Sequence, residues 1–181
     1  EALTYKSLLQ LIEKPRDCKC LFHCWAHHFG DFYGFADEMR IQACDYMERN
    51  KEDFLPFFES ESEFSAYVKQ MRNKFEFGDG HVNRALVDHY RQPLLVFRKG
   101  TDQPPTCFLP KVFTGAPPMI VELDETRGSG SEHYNILERG VTHEAEHYNI
   151  VAETEMLKKP SRKNVSWGDV DVIDTEPSIY L

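Results

Sequence analysis

No apolar run in the chain approaches the roughly 20 residues that a membrane-spanning helix requires, and the first residues lack the charged-then-apolar pattern of a secretory leader. Both absences lead us to expect a soluble protein. Basic residues are in the minority, 21 against 30 acidic ones, for a net charge of −9. A surface so acidic repels the phosphate backbone, so nucleic acid is not an expected partner; a basic polypeptide is a more natural one. A disulfide framework is also missing. The five cysteines, Cys18, Cys20, Cys24, Cys44 and Cys107, form an odd set with three of them inside seven residues. That pattern suits a reducing, cytoplasmic compartment better than a secreted domain.

What is present is a composition able to build a core: 41% hydrophobic and 13% aromatic residues in 181, well away from the disordered regime. The length suits one domain, read here as residues 1–157, followed by a linker or tail, 158–181, in which the apolar pattern dissolves into a basic and then an acidic run. Leu8, Leu9, Leu11 and Ile12 fall on one side of a helix over 5–14 that Pro15 ends. Further helices are expected over 20–29, 36–50, 61–72 and 82–90, the last capped by Asp79. Strand-length apolar runs follow at 93–97 and 119–123, with a proline-rich connection between them and β-like pieces beginning at His133 and His147. Helices first and strands later imply an α+β fold, helices packed on a mostly antiparallel sheet.

One cysteine stands apart. A thiolate forms most easily at a helix N-terminus, where the macrodipole favours negative charge and unpaired N–H groups can receive an oxyanion. Cys20 sits there, after a polar loop and at the head of an apolar helix. Cys18 lies in the loop, Cys24 within the helix, and Cys44 and Cys107 have no such setting. A base could come from Glu132-His-Tyr-Asn-Ile136, which recurs fourteen residues later as Glu146-His-Tyr-Asn-Ile150. On a strand, residues two apart share a face, so Asn135 could orient His133, or Asn149 could orient His147, while the tyrosine between turns inward. His133 is preferred as the base because it follows the strand 119–123 across a Gly/Ser-rich loop; His147 and Asn149 are the alternative. Cys18, Cys20, Cys24, His27 and His28 also offer soft metal ligands, but no Cys-x-x-Cys pair occurs, and neither a metal site nor any cofactor is expected.

Asp17-Cys-Lys-Cys-Leu-Phe22 resembles the Asp-Gly-Asn-Cys-Leu-Phe signature of ovarian tumour (OTU) cysteine peptidases. The likeness continues through Met39-Arg40, Tyr46-Met47, Phe64-Ser-Ala-Tyr67, a Gly78-Asp-Gly80 turn and the terminal His-Tyr-Asn, over residues 16–152. The resemblance implies a papain-like fold and a monomeric, cofactor-free deubiquitinase acting on ubiquitin or polyubiquitin. It assigns Cys20 as nucleophile, Asp17 as support of the oxyanion loop, and a Cys-His-Asn arrangement completed by His133 and Asn135. Cys18 and Lys19 stand where the family has Gly and Asn, which removes a residue free to take positive φ and implies a differently shaped loop.

Overall fold

The computed structural model describes residues 9–30, 35–128 and 130–139. The elements run β1 (Leu9–Ile12), α1 (Cys20–His28), α2 (Ala36–Arg49), α3 (Lys51–Phe54), a 3-10 turn (Leu55–Phe57), α4 (Glu61–Met71), α5 (Gly80–Tyr90), β2 (Leu94–Arg98), β3 (Thr106–Phe108), β4 (Met119–Asp124) and β5 (His133–Arg139). The strands form one sheet in the order β1-β5-β4-β2-β3. β2 and β4 are parallel, and the other three pairings are antiparallel. The fold is α+β with a mostly antiparallel sheet.

Strand periodicity divides the sheet into two apolar faces. Leu94, Val96, Met119, Val121, Leu123, Tyr134 and Ile136 join the main core with α1, α2, α4 and α5. Leu95, Phe97, Ile120 and Leu137 form a smaller cluster of their own. α1 is the central helix: Leu21, Phe22, Cys24 and Trp25 are buried on it, and it lies against both α2 and β5. Asp79 caps α5, its Oδ1 accepting the N–H groups of His81 and Val82 at 3.0 and 3.1 Å.

Two segments depart from the sequence reading. The helix expected over 5–14 is, in its described part, the edge strand β1, paired in register from Leu9↔Arg139 to Ile12↔Ile136. Its four apolar residues fit a short amphipathic helix as well as a strand. Pairing with β5 decides the matter: Ile12 reaches the main core and Leu9 the smaller cluster, on opposite faces. The proline-rich connection holds the short strand β3, which closes the other sheet edge. The second His-Tyr-Asn, with His147 and Asn149, and the tail 158–181 lie outside the described residues.

Candidate active site

Cys20 opens α1, and its thiol is turned inward at 2% exposure. The backbone N–H of Tyr134 on β5 donates to Cys20 Sγ at 3.4 Å, so the first turn of α1 and the start of β5 meet at the sulfur. Burial pushes the Cys20 thiol up from its ordinary pKa, and the Asp17 charge adds to the rise; the N–H groups of Tyr134, Leu21 and Cys20 itself pull it down.

The loop before it is held by side chains. Asp17 Oδ1 accepts the Lys19 N–H at 2.8 Å, and Asp17 Oδ2 lies 3.1 Å from His23 Nε2. Lys19 Nζ pairs with Asp37 at the head of α2, 2.8 Å away. Cys18 and Lys19 both keep negative φ, since Arg91 is the one non-glycine with positive φ among the described residues. The loop therefore adopts a form that residues with side chains reach without strain. The Cys20 N–H makes a long bond of 3.3 Å to the Asp17 carbonyl, and the Cys18 N–H makes no hydrogen bond among the described residues.

His133 begins β5, and Asn135 follows two residues on along the same face as Leu137, while Tyr134 turns into the core at 8% exposure. His133 Nε2 and Asn135 Oδ1 are 3.0 Å apart, both side chains being buried. Asn135 Oδ1 also accepts the backbone N–H of Lys14 at 2.9 Å. That second bond settles a question of orientation. A backbone N–H can only donate, so the oxygen of the amide must face Lys14, and His133 must then present Nε2–H to it. The proton sits on Nε2, and Nδ1 carries the lone pair. Lys14 is itself tethered: Nζ donates to His27 Nδ1 at 2.7 Å, and His27 Nε2 donates to Glu138 Oε1 at 2.5 Å.

Burial lowers the His133 pKa, and Arg16 lowers it further, against smaller upward pulls from Asn135, Asp124 and the Lys14 backbone. Asp124 pairs with His133 in the β4–β5 register. Hydrogen bonds from Lys99 and Thr126 hold its carboxyl far below the usual carboxylate range. A cleft of about 230 Å³ is lined by Arg16, Asp17, Cys18, Glu132 and His133, among others. Cys20 does not line this cleft; its sulfur meets β5 at Tyr134, the residue after His133, and no hydrogen bond joins thiol and imidazole among the described residues. No three His, Cys, Asp or Glu side chains converge to hold a metal among those residues. Sequence reasoning passed over Lys14, whose contribution is a backbone group, and Arg16, whose charge reaches His133 only through the fold.

A family model described as OTU-like cysteine protease matches residues 15–160. The deubiquitinase OTUD6B of Xenopus laevis is 29% identical over 146 residues, covering 72% of this chain and 47% of its own length. The chain thus spans about half of the curated relative it matches. Among solved structures, the viral OTU domain protease from Taggert virus superimposes with a TM-score of 0.60 at 9% identity, over 78% of this chain and 86% of the other. The Hazara virus OTU bound to ubiquitin gives 0.54 at 12% identity, over 77% and 87%. The OTUD1 OTU domain gives 0.52 at 16%, over 71% and 85%. At such identities these likenesses speak for the fold.

Proposed function

The chain belongs to the OTU-like cysteine protease family, and from that premise we propose that it is a deubiquitinase that hydrolyses peptide and isopeptide bonds at the ubiquitin C-terminus. Cys20 is the nucleophile, His133 the base and Asn135 the group that orients the base. The observation that carries this reading is the double bond-acceptance by Asn135 Oδ1, which directs His133 Nε2–H to the amide and leaves Nδ1 as the ring nitrogen that would act as base.

In this reading His133 Nδ1 takes the Cys20 proton as Sγ attacks the carbonyl carbon of ubiquitin's last glycine. The carbonyl π pair moves to oxygen, and the N–H groups of Cys18 and Cys20 receive the oxyanion. Collapse expels the amine, which takes the proton from His133, and leaves a thioester. Water, deprotonated by His133, then attacks the thioester and releases the ubiquitin carboxylate; Cys20 recovers its proton. Asp17 cannot donate to an oxyanion as a carboxylate. Its part is to hold the Lys19 N–H and so to shape the loop. The net charge of −9 suits a basic, extended ubiquitin tail. We extend the proposal to a monomer of domain 1–157 working in a reducing, cytoplasmic compartment, to which five free thiols are suited.

The test combines a ubiquitin-based suicide probe with a di-ubiquitin panel. Labelling at Cys20, cleavage by the wild type and none by Cys20→Ala are expected, with ubiquitin binding retained because the variant removes only a sulfur atom. Binding without labelling would make the chain a ubiquitin-binding module instead, a reading favoured by a thiol that is buried and makes no hydrogen bond to an imidazole among the described residues. An active Cys20→Ala with an inert Cys18→Ala would move the nucleophile.

A further inference from the structure

Arg40 on α2 is a buried cation at 2% exposure that has no ion pair among the described residues. Its guanidinium lies 4.2 Å from the centre of the Phe22 ring on α1. Nη1 donates to the Met71 carbonyl at 3.0 Å. Nη2 is shared among the carbonyls of Glu76 at 2.7 Å, Lys74 at 3.4 Å and Cys18 at 3.1 Å. Nε is buried without a partner. Removing a charge from water is costly; of the four carbonyls, that of Met71 closes α4, and those of Lys74 and Glu76 belong to the connection between α4 and α5. The fourth, Cys18, belongs to the loop that delivers the nucleophile.

That fourth bond fixes a peptide plane. In a trans peptide the C=O and N–H point in opposite directions. The Cys18–Lys19 unit has its oxygen drawn inward to Arg40, and its N–H directed outward to the exposed Asp17 carboxylate. It is therefore clamped at both ends. The N–H groups of Cys18 and Cys20 flank it on either side. If the unit flipped by rotation about Cys18 ψ and Lys19 φ, the Cys18 carbonyl oxygen would face the cleft between the two flanking N–H groups and repel a developing oxyanion.

Resting on the reading of Cys20 as nucleophile, we propose that Arg40 is a positioning residue for the oxyanion loop, holding the Cys18–Lys19 peptide in the orientation that keeps the Cys18 carbonyl oxygen away from the developing oxyanion. The planar fork of arginine spans the Met71 and Cys18 carbonyls together, and the compact ammonium of lysine cannot. Arg40→Lys keeps the charge over Phe22 and gives up the span.

Three measurements on the full chain separate this role from a merely architectural one. With a fluorogenic ubiquitin substrate, kcat of Arg40→Lys should fall about 10²-fold, the scale of one lost oxyanion donor, with KM little changed. Affinity for ubiquitin aldehyde, whose adduct with the thiol is tetrahedral, should fall in parallel. Alkylation of Cys20 by iodoacetamide, followed by site-resolved mass spectrometry, forms no oxyanion and should be unchanged. Wild-type kcat in the variant, or equal loss in all three readouts, overturns the proposal. If Arg40→Lys shows no cooperative melt, Asp17→Ala at an exposed side chain releases the other end of the same peptide and should lower kcat and ubiquitin aldehyde affinity alike while alkylation of Cys20 does not slow; normal turnover there overturns the clamp. A wild type inert toward both substrate and ubiquitin aldehyde would instead sink the reading of Cys20 itself, and the role of Arg40 with it.

Discussion

Asn135→Asp changes the charge beside His133, the proposed base, and little else. A carboxylate oxygen in the place of Oδ1 still accepts the Lys14 N–H and the His133 Nε2–H, found at 2.9 and 3.0 Å. A unit negative charge about 4 Å from the imidazolium is worth about 4 kcal/mol at an effective dielectric near 20, or about three pKa units. The carboxylate must itself be buried in this 4%-exposed position, which offsets part of that and brings the net rise at His133 to about one to two units. In the wild type, burial and Arg16 hold the imidazole below its usual value of 6.5. The acid limb of kcat/KM against pH should therefore lie below the ordinary histidine range, and should move up by about one to two pH units in Asn135→Asp. Asn135→Ala gives the complementary result. Two buried donors lose their acceptor at about 1–3 kcal/mol each, and the tautomer is no longer fixed, so kcat should fall about tenfold. Profiles recorded with a fluorogenic ubiquitin substrate decide it. An acid limb that coincides with the wild type, or full turnover in Asn135→Ala, would refute His133 as base and turn attention to His147 and Asn149.

Gly78 packs closely against α1: a Cβ there would lie 2.7 Å from Leu21 Cδ2 and 3.3 Å from Leu21 Cβ. Gly78→Ala should thus cost about 1–3 kcal/mol by overpacking, and an unshifted denaturation midpoint would show that Leu21 yields freely. The fold should also lose stability on mild acidification. His28, His81, His89 and His133 all titrate below 6.5 in the folded chain, burial being the first cause in each. As pH falls through 6.5 the unfolded chain binds protons that the folded chain refuses, so the unfolded state gains until the folded values are passed. Asp88, raised by burial, opposes this only nearer the carboxylate range. The melting temperature should drop steadily from pH 7.5 to 5.5, and a flat profile would mean that these imidazoles are not held neutral.

Local chemistry made some of this molecule legible in its sequence. Asp79 caps α5 because a short carboxylate followed by a glycine and an apolar helix has one good use. Cys20 and the alternation of His133, Tyr134 and Asn135 were readable because helix heads and strand faces follow from spacing alone. β1 was not, since four apolar residues among polar ones fit either period until β5 offers its edge.

The site's supports were hidden for a different reason. Lys14 acts through a backbone N–H that every residue but proline carries, and Arg40 through the carbonyl of Cys18. Neither leaves a side-chain signature at the position it serves. Backbone groups nevertheless do the orienting on both sides of the reaction: a donor fixes which way the Asn135 amide faces, and an acceptor fixes which way the Cys18–Lys19 peptide faces. The side chains that a motif displays can react only in the frame that those main-chain groups set. Cys18 and Lys19 can therefore stand in place of the signature's glycine and asparagine without strain: the orientation of the loop is set by what grips its peptide bonds, and at negative φ each position accommodates a Cβ.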